Sequence, residues 1–246
     1  MDPNSRLIVA IDVPDESSAK MLVSTLGDDV RFYKIGLEAF AAGWAHSVIE
    51  YAIRRNKQVM VDLKLYDIPE TVARATKAVV GLGATFLTVH ARPQTMTAAC
   101  EAAVGSQLTI LCVTVLTSLS VEDLEAEHST TTDPGGLAIK RVMSCLPMGC
   151  FGYVASPLEL AALRTVEAIN NLPRFTLVVP GVRPGVATDD HKRCATPGEA
   201  IRAGADHIVV GRPIRDAASP RHAAVSIQTE IFGTLATMAP AGTVSL

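Results

Sequence analysis

Aromatic residues make up only 4% of the 246-residue chain, and tryptophan occurs once. Single-stranded nucleic acid is gripped by rows of stacking rings, so that class of function is not expected. Basic runs are missing too, and the net charge is -3 with acids and bases mixed, which argues against any nucleic-acid partner. The longest apolar run, Thr109 to Leu116, is strand-sized and far short of a membrane span. Cysteines are few: five, at positions 100, 112, 145, 150 and 194, odd in number and with no Cys-x-x-Cys. Reduced thiols in a cytoplasmic protein are therefore expected, as the start Met-Asp-Pro-Asn-Ser-Arg carries no signal-peptide pattern. The six histidines show no close ligand spacing, so no metal site and no cofactor are expected. No Gly-x-Gly-x-x-Gly follows the first apolar segment, which speaks against a dinucleotide-binding sheet.

What the chain does have is apolar residues, 48% of the total, enough for one large core. Eight short, β-branched apolar segments recur at roughly regular spacing: 7–13, 32–36, 59–65, 86–91, 109–117, 152–156, 176–182 and 207–211. Most are continuous apolar runs, as parallel strands covered on both faces require. Stretches of helical period separate them, among them 17–26, 45–55, 72–82 and 158–169. Ser156-Pro157 and Thr196-Pro197 read as helix starts with proline in the first helical position. Eight strand–helix units in a chain of this length predict an α/β fold, a (β/α)8 TIM barrel, with residues 1–246 forming a single domain. The polar stretch Ser120–Gly136 is expected to form an elaborated loop after the fifth strand.

In such a barrel, chemistry sits at the carboxyl ends of the strands. Polar residues collect there: Asp12, Lys34, Asp62 with Lys64, His90, Thr117, Arg183 and Arg212. The third segment, Val-Met-Val-Asp-Leu-Lys-Leu-Tyr-Asp-Ile (59–68), is the most informative. Strand alternation puts Asp62 and Lys64 on one face, and Asp67 follows where Asp-Ile-Pro turns the chain. Isolated charges are costly to bury, whereas an alternating acid–base–acid set holds itself ionised and suits proton delivery. Pro180-Gly181-Val182-Arg183-Pro184-Gly185 and Gly211-Arg212-Pro213-Ile214 fall after strands seven and eight, where these barrels commonly hold phosphate. Glycine lets backbone N–H groups approach an anion, and arginine offers a forked cation. The polar segment 183–192 is suited to a lid.

These elements together resemble the orotidine 5′-monophosphate decarboxylase family over nearly the whole chain. They are Ile-Val-Ala-Ile-Asp (8–12), Tyr-Lys-Ile-Gly (33–36), Asp-Leu-Lys-Leu-Tyr-Asp-Ile-Pro (62–69), Thr-Val-His-Ala (88–91), Val-Thr-Val-Leu-Thr-Ser (113–118), Pro-Gly-Val-Arg-Pro (180–184) and Gly-Arg-Pro-Ile (211–214). The resemblance implies decarboxylation of orotidine 5′-monophosphate to UMP, with Lys64 protonating C6 of the pyrimidine. It implies that Asp62, Lys34 and Asp67 complete a charged network, Asp67 being supplied by a partner subunit in a homodimer with shared sites. It further implies that Asp12 holds ribose hydroxyls, Thr71 contacts the ribose from the partner side, and Thr117 sits near the base. Arg183, Gly211 and Arg212 would hold the phosphate.

Two departures from the family pattern, at three positions, stand out. His191 stands where bacterial members usually carry a glutamine that bridges base and phosphate, so charge there would vary with pH. Tyr66 and Glu70 replace a common histidine and asparagine. Related sugar-phosphate lyases, such as ketogulonate-phosphate decarboxylase and hexulose-phosphate synthase, resemble the Asp-x-Lys-x-x-Asp element but use Mg²⁺ and typically carry an acid where this chain has Lys34. A cation there repels the metal.

Overall fold

A computed structural model describes residues 3–116, 121–128, 133–185 and 195–238. Eight parallel strands close on themselves in chain order, each neighbour hydrogen-bonded to the next and the eighth to the first. β1 (Leu7–Ala10) leads to α1 (Glu16–Leu26), and β2 (Phe32–Gly36) to α2 (Leu37–Ala41) and α3 (Ala45–Ile53). β3 (Gln58–Leu65), β4 (Phe86–His90) and β5 (Thr109–Val113) are followed by α4 (Pro69–Gly81), α5 (Pro93–Ala103), and α6 (Val121–His128) with α7 (Pro134–Cys145). β6 (Gly152–Val154) and β7 (Thr176–Pro180) precede α8 (Leu160–Ile169) and α9 (Pro197–Arg202). β8 (His207–Val210) ends in α10 (Arg212–Arg215) and α11 (Pro220–Met238).

The strands are buried on both faces, as their continuous apolar runs require. One set of side chains fills the barrel: Ile8, Met60, Leu111, Val154, Val178 and Val209 among them. The opposite set packs under the helices, with Val9, Ile35, Val61, Leu87 and Val179 in one cluster with helix residues such as Val23, Val48 and Leu163. Gly152 opens β6 where the neighbouring strand comes close. A β-carbon there would stand 2.7 Å from the Ile110 carbonyl oxygen and 2.8 Å from Leu111 Cδ2, so only glycine fits.

Both proline-led helix starts are present as expected. Ser156 and Thr196 each form a capping box, with the Glu159 and Glu199 side chains accepting the cap N–H at 3.0 and 2.8 Å. The stretch after β5 differs from the loop expected. It contains α6, whose first turn carries Glu122 and Asp123, and α7 begins inside it on Asp133, which accepts the Gly136 N–H at 2.7 Å. Its polarity reflects acids favoured at a helix N-terminus and a side-chain cap, both of which imitate loop composition. No described helix is long and apolar enough to cross a membrane.

At the amino-terminal end of the barrel, Phe32, Phe86 and His207 open alternate strands, and the His207 ring meets both phenyls edge-on, with centroids 5.6 and 5.2 Å apart. Nδ1–H of His207 donates to the Ser5 carbonyl at 2.7 Å. Burial disfavours the imidazolium and lowers the pKa of this histidine below 6.5. A group whose folded pKa is depressed takes up its proton more readily when unfolded, so stability rises with pH and is complete above the unfolded value. The urea midpoint should therefore fall as pH drops from 7.5 to 5, reporting a loss of unfolding free energy of up to about 1.4 kcal/mol per pH unit for this one proton. His207→Gln should flatten that slope, and an identical slope in the variant would show that His207 is not its source.

Candidate active site

Three neighbouring strands deliver alternating charges to the carboxyl end of the barrel. Lys34 Nζ, from β2, lies 2.9 Å from Asp12 Oδ1 just beyond β1 and 3.5 Å from Asp62 Oδ2 in β3. Asp62 Oδ1 in turn lies 2.9 Å from Lys64 Nζ. The result is a continuous chain, Asp12–Lys34–Asp62–Lys64, in which each inner charge has an opposite neighbour on both sides. Gly36 leaves room for it: a β-carbon there would stand 3.3 Å from Lys34 Nζ and 3.5 Å from Asp12 Oδ1.

Exposure grades along the chain. The Asp62 and Lys34 side chains are 11% and 13% exposed, and Lys64 and Asp12 are 39% and 45% exposed. Lys64 is thus the cation that faces open space. Burial alone pushes the Asp62 carboxyl upward, but Lys34, then Lys64, with hydrogen bonds from Lys64 and Thr88, more than offset it and hold the group below the ordinary carboxylate value. Asp12, Lys34, Gly36, Glu38, Asp62 and Lys64 line one cavity of about 120 Å³.

Asp62 and Lys64 meet as expected, but simple alternation is not the reason. Val61 pairs with Leu87 and Leu65 with Val89, so β3 bulges between them. Within that bulge Lys64 has φ 47°, in the left-handed region. For a non-glycine residue this costs about 1 kcal/mol or more, and such outliers gather at functional sites.

Asp67 is not part of this cluster within its own chain. It is exposed, its Oδ1 accepts the Ile68 N–H at 2.6 Å, and it forms no ion pair among the described residues. Thr71 is half-buried in the first turn of α4. On the opposite rim, Arg183 is half-buried and Arg212 exposed, and neither is ion-paired among the described residues. Arg183 N–H donates to the Ala195 carbonyl at 3.1 Å, and residues 186–192 of the stretch expected to act as a lid lie outside the described residues. Thr117 and His191 lie outside the described residues.

Two residues not anticipated from sequence also reach the site. Thr88, in β4, bonds both Asp62 and the Lys64 main chain. Arg215 forks onto Asp216 at 2.6 and 2.9 Å and donates to the Asp12 carbonyl, tying the turn after β8 to the end of β1. Among the described residues, no group of three His, Cys, Asp or Glu is placed to hold a metal ion.

A closed parallel barrel with a charged cluster at its strand ends defines a (β/α)8 barrel with an enzyme-like site. A family model described as "Orotidine 5'-phosphate decarboxylase / HUMPS family" matches residues 5–227, and the chain belongs to that family. A Rhodopseudomonas palustris (strain HaA2) protein named orotidine 5'-phosphate decarboxylase is 49% identical over 234 residues, covering 92% of this chain and 94% of its own. One of the same name from Cereibacter sphaeroides is 45% identical over 230 residues, with 93% and 97% covered. The crystal structure of orotidine 5'-phosphate decarboxylase from Lactobacillus acidophilus superposes with a TM-score of 0.79 at 33% identity, covering 92% of this chain and 99% of that one.

Proposed function

We propose that this chain, as a single domain, decarboxylates orotidine 5′-monophosphate to UMP and carbon dioxide in pyrimidine biosynthesis. The observation that carries the reading is the Asp12–Lys34–Asp62–Lys64 chain with the Lys64 ammonium at its open end. Breaking the bond between C6 and the carboxylate leaves an electron pair on C6, with no carbonyl placed to absorb it. A preorganised ammonium stabilises that charge as it develops and then gives C6 its proton. Asp62 keeps Lys64 charged and oriented, and its own charge is secured by Lys34 from behind.

The other roles are those that the family resemblance implies. Asp12 holds the ribose hydroxyls, Lys34 belongs to the charged network that meets the substrate, and Thr117 serves the base. Arg183, Gly211 and Arg212 take the phosphate, and His191 joins it from the lid. Phosphate is remote from C6, so its binding energy is available to close the site. Lys34 sits between two carboxylates, 2.9 and 3.5 Å away, where a divalent cation would otherwise be held, and this supports a reaction needing no metal.

The working unit is a homodimer with shared sites. Asp67 lies apart from the cluster of its own chain, flanked by Tyr66 and Ile68, which are 61% and 63% exposed. These three line a groove of about 490 Å³ with Pro69, Arg92 and Thr95. Such an apolar surface beside an unpaired acid suits a second copy that receives Asp67. In the direct test, purified protein is given orotidine 5′-monophosphate and followed by absorbance, with UMP and carbon dioxide identified as products. Equal amounts of the two are expected, and unchanged substrate would overturn the reading.

A further inference from the structure

The extra residues of a strand bulge lose their ladder partners, and a buried N–H so freed must find another acceptor. In the β3 bulge that acceptor is a side chain. The Lys64 N–H donates to Thr88 Oγ1 at 2.9 Å. The same hydroxyl donates its own proton to Asp62 Oδ1, also at 2.9 Å. This is the carboxylate oxygen that takes the Lys64 ammonium at 2.9 Å. A hydroxyl has one proton and two lone pairs, so both Thr88 bonds form together and each fixes the direction of the other. Thr88 is fully buried, so no water competes for either bond.

We propose that Thr88 is a positioning residue: its hydroxyl locks the left-handed main chain of Lys64 and the carboxylate of Asp62 into one unit, and so aims the ammonium. The inference rests on the roles given above to Lys64 and Asp62. Thr88 acts only through them. Without the hydroxyl, the Lys64 N–H has no partner in the bulge and Asp62 loses a donor. The ammonium is then held at one end only. Misplacement by about 1 Å of a group that must meet a reacting atom costs on the order of 10²-fold in rate.

The test compares Thr88→Val, which keeps shape and loses the hydroxyl, with Thr88→Ser, which keeps the hydroxyl. We expect the valine variant to lose about 10²-fold in kcat while KM and UMP affinity stay within about threefold, since the ammonium acts mainly on the developing charge. The serine variant should recover most of the loss, which a mere packing role would not produce. In parallel, amide exchange at Lys64, read by NMR with UMP absent, should speed up about tenfold or more in the valine variant and return in the serine variant, as loss of a buried bond implies. Should Thr88→Val fail to fold, Thr88→Cys takes its place, because a thiol is a much weaker hydrogen-bonding group, and it should fall well below serine. Valine, or cysteine in its place, matching wild type in kcat and Lys64 protection, or serine as poor as valine, would overturn the proposal. Wild-type turnover is measured first. Its absence would overturn the functional reading, whereas faster Lys64 exchange in the valine variant would still support the lock.

Discussion

Replacing Lys64 with alanine is expected to abolish nearly all turnover, by at least about 10³-fold in kcat, which is the scale for removing a preorganised charge from a developing anion. The ammonium is both the opposing charge and the proton source, so its loss strikes the step twice. Binding should survive. UMP carries hydrogen at C6, not a carboxylate, and its affinity should stay within about threefold because the lost interaction belongs to the transition state. The fold should survive as well. Alanine bears the same left-handed penalty as lysine at φ 47°, and Thr88 still accepts the residue 64 N–H. Asp62 keeps Lys34 as a partner, so no bare charge is stranded. Turnover within tenfold of wild type, at unchanged substrate saturation, would remove Lys64 from the proton-donor role.

The second large effect is a recovery. Lys64→Ala and Asp67→Ala chains should each be nearly inactive alone, yet an equimolar mixture unfolded and refolded together should regain about a quarter of wild-type activity. In a mixed dimer, the site built on the Asp67→Ala chain has its own Lys64 and receives Asp67 from the Lys64→Ala partner. The other site lacks both. Random exchange makes half the dimers mixed, each with one live site of two. Native mass spectrometry establishes that exchange took place. Activity no higher than the mean of the two parents would place Asp67 in the site of its own subunit.

Much of the site was legible because strand ends are informative. Asp12, Lys34, Asp62 and Lys64 each stand in or just after an apolar run, a charge set that sequence places at one rim, and the structure brings all four within ion-pair distance. Thr88 was not legible. In Phe-Leu-Thr-Val-His a threonine is indistinguishable from β-branched strand filler, and only the bulge opposite gives its hydroxyl two partners. Arg215 was equally hidden, since its contact to Asp12 joins residues from opposite ends of the chain. Composition misled over the polar stretch after β5, where helix-start acids passed for loop residues.

Perturbed charge alone would not have found the site. Asp206 is as deeply held as Asp62, accepting from Arg164 at 2.6 Å, Arg174 at 3.0 Å and the Leu177 N–H at 2.9 Å, and its carboxyl is likewise lowered, with these donors outweighing its burial. It precedes β8, at the end of the barrel that serves stability, although it too has an open-facing cation, Arg174, whose side chain is 65% exposed. Position in the barrel separates the two acids where pKa does not.

In the proposed reaction, fixed side-chain charges, not a bound metal, carry the chemistry. The most direct measurement is turnover of orotidine 5′-monophosphate by the purified protein in excess EDTA, followed by absorbance and compared with the same protein in Mg²⁺. The same rate of UMP formation is expected in both. Activity that disappears with the chelator and returns on adding Mg²⁺ would contradict it.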